Sequence, residues 1–139
     1  MSQQNIEFCI DKAKVNFEQL QELFNLSAFW AQDRTIKDLE TVISNSNPVV
    51  TVWDGGKLIG FARANSDGIY RATIWDVVIH QDYQGRGLGA ELIKIMLSHP
   101  LLAKVERVYL MTTYQQKFYQ RMGFVENQTT TMVRHKISD

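Results

Sequence analysis

The stretch Gln84-Gly85-Arg86-Gly87-Leu88-Gly89 has the residue types and spacing of an anion cradle. It follows an apolar run, Val77-Val78-Ile79, and a polar turn, and it opens a helix marked by Leu88, Leu92, Ile95 and Met96. Glycines lack a Cβ, so the backbone here can approach a ligand closely and present successive N–H groups to it. The helix behind adds unpaired amides and the positive end of its dipole. Arg86 adds a full charge. The chemistry such a loop can do is to hold a phosphate or pyrophosphate. A Walker loop would close on Gly-Lys-Ser/Thr, whereas here the chain runs on with Ala90-Glu91. The dinucleotide fingerprint would read Gly-x-Gly-x-x-Gly near the start of a βαβ unit. This loop is Gly-x-Gly-x-Gly, late in the chain and after a hairpin. Both nucleotide readings fail on spacing, and the glycines could also serve a tight strand-to-helix turn alone.

Asp76 is a second residue that calls for an explanation, because it interrupts an apolar strand, Thr73-Ile74-Trp75-Asp76-Val77-Val78-Ile79. Burying an unpaired carboxylate is costly, so it must be either satisfied or functional. Strand alternation puts Asp76, Val78 and His80 on one face and Trp75, Val77 and Ile79 on the other. His80 could also serve as a base, but at the edge of a loop it reads as a surface histidine. Cys9 is the single cysteine, which excludes an internal disulfide and any paired zinc ligands. It reads as a small buried apolar group rather than a nucleophile. No metal is expected.

Gln84-Gly85-Arg86-Gly87-Leu88-Gly89 resembles the signature of the GNAT superfamily of N-acetyltransferases, Gln/Arg-x-x-Gly-x-Gly/Ala. Phe118-Tyr119-Gln120-Arg121-Met122-Gly123-Phe124 resembles its second landmark, an aromatic-Tyr pair followed by Gly-Phe. The two stand in the order and separation of that superfamily, and the resemblance covers essentially the whole chain. A closer likeness, to plastid and cyanobacterial GNAT enzymes that include serotonin N-acetyltransferases and plastid protein acetyltransferases, lies in Gly60-Phe61-Ala62-Arg63-Ala64 and Thr73 to Ile79.

The resemblance implies acetyl-CoA as cosubstrate and direct acetyl transfer to a primary amine in a ternary complex, without an acyl-enzyme. It implies that the backbone of Val77, Val78 and Ile79 holds the pantetheine arm and acetyl carbonyl. The pyrophosphate would lie against Gln84, Gly85, Arg86, Gly87, Leu88, Gly89 and Ala90. Tyr119 matches the family's acid, which protonates the leaving thiolate. Asp76 is the candidate base, acting directly or through water. It could instead be structural, bonded to backbone amides or to Arg63, and water alone could carry the proton away. The sequence departs from the family at Gln81, where many relatives carry Pro, and at Thr112, where Asn is common. The Thr112 hydroxyl can still bond the pantetheine, but it does not offer the two-sided bonding of an amide. A dimer through the C-terminal strands is common in the family.

The acceptor is open between an arylalkylamine and a peptide or lysine amine. Phe24, Phe29, Trp30, Trp53 and Tyr70 are available as aromatic lining, and no acidic cluster stands ready for a polyamine. A non-catalytic acetyl-CoA sensor or interaction module of the same fold is the alternative function.

Elements that would position these residues follow from periodicity. Ile6–Ile10 reads as a strand. Phe17, Leu20, Leu23, Phe24 and Ala28 mark one amphipathic helix. Thr35 caps a second, with Ile36, Leu39, Val42 and Ile43 as its stripe. Val49–Trp53 and Leu58–Ala64 form a hairpin across Asp54-Gly55-Gly56-Lys57. A strand over Tyr70–Ile79 precedes the loop. Another is expected over Val105–Met111, then a helix over Tyr114–Met122 ended by Gly123. Phe124-Val125 and Thr131–Val133 are expected as a last strand pair. Pro48 and Pro100 fall between elements. The order β-αα-βββ-α-β-α-β makes an α/β (α+β) fold of the GNAT type, with a central, mixed but mostly antiparallel twisted sheet flanked by helices.

With 139 residues, the expectation is one domain over 1–139. Fifteen basic and fifteen acidic residues cancel, so the bulk charge of a nucleic-acid binder is missing. No apolar run reaches the ~18–20 residues that span a bilayer. Met1 to Asn5 has neither the basic start nor the apolar core of a signal peptide. No nucleic-acid or membrane partner is expected, and the expected location is the cytoplasm or an organelle stroma.

Overall fold

The computed structural model describes residues 5–128 and 131–136. Strand β1 (Ile6–Cys9) leads through a 3-10 turn to helices α1 (Phe17–Ser27) and α2 (Ile36–Ser44). Each helix begins on a side-chain cap. Asn16 Oδ1 accepts from Gln19 N at 3.0 Å and Thr35 Oγ1 from Asp38 N at 3.1 Å. Such caps satisfy an otherwise orphaned amide and contribute about 1 kcal/mol each. Strands β2 (Val49–Asp54) and β3 (Lys57–Ser66) make the hairpin, with Gly55 at φ +59 in its turn. Strand β4 (Arg71–Ile79), helix α3 (Leu88–Ser98), the short helix α4 (Pro100–Ala103), β5 (Arg107–Tyr109) and α5 (Gln116–Arg121) complete the order. Gly123, at φ +96, follows α5 in the left-handed conformation.

The strands lie in sequence order, antiparallel from β1 to β4, with β5 parallel to β4. One face packs on α1 and α2 through Leu20, Leu23, Phe24, Leu39 and Ile43 against Val49, Leu58, Phe61 and Val78. The other packs on α3 through Leu92, Ile93 and Met96 against Val50, Val52, Ile59, Ala62 and Ile74. Gly60 lies in this second face, where a Cβ would stand 2.8 Å from Val52 Cγ2 and 2.9 Å from Ile79 Cδ1. Close packing of β2, β3 and β4 therefore requires glycine there.

Three expectations change. Phe124-Val125 and Thr131–Val133 form no strand. Phe124 N instead bonds Tyr119 O at 3.0 Å, closing α5, and Val125, Met132 and Val133 are exposed. The strand expected over Val105–Met111 is reduced to Arg107–Tyr109 because β5 diverges from β4 after that point. Pro100 starts α4 rather than lying between elements, at a helix position whose N–H would be unpaired anyway. Pro48 does precede β2, after a cis peptide bond.

Candidate active site

β4 has two halves. Ala72 and Thr73 pair with β3 on one side and β5 on the other, whereas among the described residues Ile74–Ile79 pair with β3 alone. His80 N donates to Ile59 O at 2.7 Å, which makes 80 and 59 a hydrogen-bonded pair. In an antiparallel ladder such pairs alternate, so Val78 faces Phe61 with its main chain while Ile79 turns its own to the open side. On that side the Ile79 carbonyl accepts from Gln84 Nε2 at 3.0 Å. The backbone beyond β5, Leu110 to Gln115, diverges from β4 and leaves a wedge-shaped cavity of about 1180 Å³ between them.

The alternation expected for β4 fails at one place. The β3–β4 register shifts between Phe61 and Arg63, and Asp76 adopts φ +56. Asp76 and Val77 together oppose Ala62 alone, a β-bulge. Val77 and Ile79 do share a face, but Trp75 pairs with Arg63 and lies on the Asp76 side rather than with them. Arg63 Cζ sits 5.9 Å from the Trp75 ring centre.

The bulge turns Asp76 into a ring of donors. Oδ1 accepts from Trp30 Nε1 at 2.9 Å, and Oδ2 accepts from Arg34 Nη1 at 2.9 Å and Arg63 Nε at 2.8 Å. The side chain is 6% exposed. Burial pushes its pKa up, but the hydrogen bonds and charges of Arg34 and Arg63 outweigh burial and hold it below the usual aspartate value. Each oxygen is already engaged, and a carboxylate so stabilised is a poor proton acceptor. Of the two open readings, the geometry fits the structural one.

The loop is built by backbone conformation. Gly85 and Gly87 have φ +79 and +78, a region that L side chains enter only at a cost. Gly87 is the N-cap of α3 and no side chain caps the helix, so its first-turn amides have no side-chain partner. Gly89 faces Phe118, where a Cβ would stand 3.5 Å from Cζ. Gly85, Gly87, Leu88, Gly89 and Ala90 all line the cavity together with Gln84. Arg86 does not. Its Nη2 donates to Asp82 O at 3.0 Å and its guanidinium lies 5.1 Å from the Tyr83 ring centre. Tyr83 in turn gives its hydroxyl to Asp54 Oδ2 at 2.5 Å, tying the loop to the β2–β3 hairpin. That bond raises the Tyr83 pKa. His80 is a correction, since it is 7% exposed rather than a surface residue. Its Nδ1 accepts from Asp82 N at 3.1 Å, and burial lowers its pKa.

Across the cavity stand Thr112 and Tyr119. Thr112 Oγ1 accepts from Gln115 N at 3.1 Å, which leaves the hydroxyl proton to donate. Tyr119, stacked edge-on to Phe118 and Phe124, has its pKa raised to about 12 by burial.

A match to the acetyltransferase (GNAT) family covers residues 17–124. The chain belongs to the GNAT family of acetyltransferases. It is 34% identical over 118 residues to the N-acetyltransferase ycf52 of Pyropia yezoensis, covering 81% of this chain and 67% of that protein. It is 44% identical over 69 residues to the chloroplastic GCN5-related N-acetyltransferase 2 of Arabidopsis thaliana, a stretch that is 49% of this chain and 27% of that one. In fold it resembles a GNAT-family crystal structure from Xanthomonas campestris pv. campestris, with a TM-score of 0.84, 24% identity, and 95% and 94% of the two chains covered.

The far end of the acetyltransferase's cavity is aromatic. Phe29 and Trp30, on a 3-10 turn between α1 and α2, stack at 5.1 Å, and Phe29 reaches Tyr114 at 5.8 Å across the opening. These rings are exposed at 63%, 44% and 75% and line the cavity. The other three aromatics expected there are elsewhere. Phe24 is core against Phe61, Trp53 donates to Thr51 Oγ1 at 2.8 Å, and Tyr70 is exposed just before the start of β4. Tyr114, Arg34 and Arg121 are not expected from the sequence. Tyr114 and Arg121 line the cavity, while Arg34 reaches it through Asp76. No local motif marks Tyr114 or Arg34, and Arg121 falls at an unspecified position of the second landmark.

Proposed function

We propose that this GNAT acetyltransferase moves an acetyl group from acetyl-CoA to one primary amine on a molecule with an apolar, aromatic body. The observation that carries the reading is the free edge of β4 facing the uncapped amides of α3 across one cavity. When bound, acetyl-CoA supplies an activated thioester that an uncharged amine can attack directly.

The residues fit that cosubstrate. The main-chain groups of Val77 and the N–H of Ile79 offer bonds to the amide-rich arm, with Val78 holding the strand to β3. The Thr112 hydroxyl offers one more from the opposite wall. The amides of Gly85, Gly87, Leu88, Gly89 and Ala90 suit the pyrophosphate, with Gln84 bracing the loop against Ile79. Arg86 contributes its amide and keeps its side chain on Tyr83. Tyr119, with a pKa of about 12, stays protonated at neutral pH and gives its O–H to sulfur as negative charge develops there. Asp76 anchors rather than accepts a proton, and the ammonium proton leaves to water through the open mouth.

For the acceptor, the support is the charge of the lining. Among the described residues it holds a single carboxylate, Asp76, already shared by two guanidiniums. A polyamine or lysine-rich peptide finds no free anion there, whereas Phe29, Trp30 and Tyr114 offer ring faces to one flat amine. Among the described residues no helix is long and apolar enough to cross a membrane. A cytoplasm or an organelle stroma is in keeping with the chloroplastic name of the Arabidopsis relative.

Release of free CoA thiol, compared for tryptamine, a lysine-containing peptide and spermidine, tests this. Tryptamine is expected to be fastest. A faster peptide would overturn the acceptor assignment, and binding of acetyl-CoA without release for any amine would favour a sensor.

A further inference from the structure

The carboxylate of Asp76 joins the sheet to a segment that is not part of it. Arg63 belongs to β3, but Trp30 and Arg34 lie on the connection between α1 and α2 that also carries Phe29. Both bonds from that connection end on the bulge that lies within the free-edged half of β4. Their carboxylate end is buried, the Asp76 side chain being 6% exposed, while the Arg34 side chain is 31% exposed. Arg34 is further fixed by the Phe24 ring, 5.3 Å from its guanidinium carbon. Other hydrogen bonds of the connection stay within the helical pair, as from Gln21 Nε2 to Arg34 O and from Asp33 N to Asn25 Oδ1. One more, Gln81 N to Ser27 Oγ at 3.2 Å, ties its first end to the turn after β4.

We propose that Arg34, acting through Asp76, is a positioning residue that holds Phe29 and Trp30 against the cleft and so sets affinity for the amine acceptor but not for the cofactor. This rests on the reading of the Phe29–Tyr114 end as the acceptor end. Removing Arg34 leaves Asp76 with Arg63 and Trp30, so the carboxylate stays satisfied and the bulge stays in place. What disappears is the ionic tether of the lip. Arg34 uses a single nitrogen, Nη1, for this bond, so an ammonium at the same place can replace much of it.

The test compares Arg34→Gln and Arg34→Lys with wild type by steady-state kinetics on acetyl-CoA and tryptamine, by CoA binding, and by amide hydrogen exchange. For Arg34→Gln, the KM for tryptamine is expected to rise about tenfold while kcat stays within about threefold. CoA affinity is expected to stay within about twofold, and Arg34→Lys should recover most of the acceptor affinity. Exchange should quicken over 28–35 and stay unchanged over 77–90. An unmoved acceptor KM, an equal fall in CoA affinity, or unaltered exchange over 28–35 would overturn the proposal. If wild type acetylates neither tryptamine nor the peptide, the functional reading fails, while the exchange comparison still decides whether Arg34 tethers the lip. If Arg34→Gln does not fold, Trp30→Phe removes one N–H and keeps a ring, and it must give the same pattern at smaller size.

Discussion

The two ends of the cavity are made of different material. At the proposed cofactor end the wall is backbone, namely the open edge of Val77 and Ile79 and the amides behind Gly85 and Gly87, with side chains of little chemical character. At the proposed acceptor end the wall is side chain, Phe29, Trp30 and Tyr114, brought from two connections and, in our reading, braced by an ion pair. A backbone wall recognises what every acyl-CoA shares and tolerates substitutions that keep the main chain in place. A side-chain wall can change its acceptor by changing a few rings. Tyr119 stands where the two meet.

Tyr119→Phe removes the proposed donor from both ends' shared reaction, and kcat is expected to fall about 100-fold with CoA affinity unchanged. Equal turnover would remove Tyr119 from the chemistry. Because the wild-type tyrosine has its pKa raised to about 12, its activity should show no loss from tyrosine ionisation between about pH 7 and 10. A basic limb with its midpoint at about 9 that vanishes in the Phe variant would contradict this.

Gly87→Val forces a β-branched residue to φ +78 and costs at least about 1–2 kcal/mol wherever the loop is kept. A CoA affinity about tenfold lower is expected, by calorimetry, with the acceptor KM little moved. Phe29→Ala should do the reverse, raising the tryptamine KM about fivefold by removing a ring face and leaving CoA binding alone. If Phe29→Ala weakened CoA instead, the division between the ends would be wrong.

Gly60→Ala concerns stability rather than either wall. A methyl 2.8 Å from Val52 Cγ2 must displace a packed strand, and about 1–3 kcal/mol of destabilisation is expected in denaturant unfolding. The smallest effect is predicted for Val78→Ile, which keeps a β-branched apolar residue on the strand and should leave kcat, both KM values and the melting temperature nearly unchanged. Asp76 adds a pH signature. Its folded pKa lies below that of the unfolded chain, so its contribution to stability is complete above the ordinary aspartate value, about 3.9, and is lost as pH falls through the folded value. Asp76→Asn should therefore lower stability at neutral pH and narrow the gap to wild type in acid.

The loop geometry of the proposed cofactor end is largely readable in the sequence, because its requirements are local. Positive φ at Gly85 and Gly87, an uncapped helix start and the apolar run before them lie within a few residues of one another. The hairpin turn at Gly55 and the cap at Thr35 are readable for the same reason. The acceptor end is not. Phe24 and Trp53 carry the same aromatic signal as Phe29 and Trp30, and position in the fold alone makes the first two core. The bulge at Asp76 also escapes, since it comes from a register shift between two strands and leaves no mark in the alternation.

From its own residues the chain determines where helices begin, where left-handed turns must be glycine, and which faces must be buried, because these depend on neighbours along the chain and on the pleat or turn they share. The length of β5, the absence of strand at Phe124-Val125, the turning of Arg86 onto Tyr83 and the meeting of Asp76 with Arg34, 42 residues away, were decided by tertiary packing. A carboxylate in a strand states only that partners are needed, and which guanidinium answers depends on how two layers come to lie against each other.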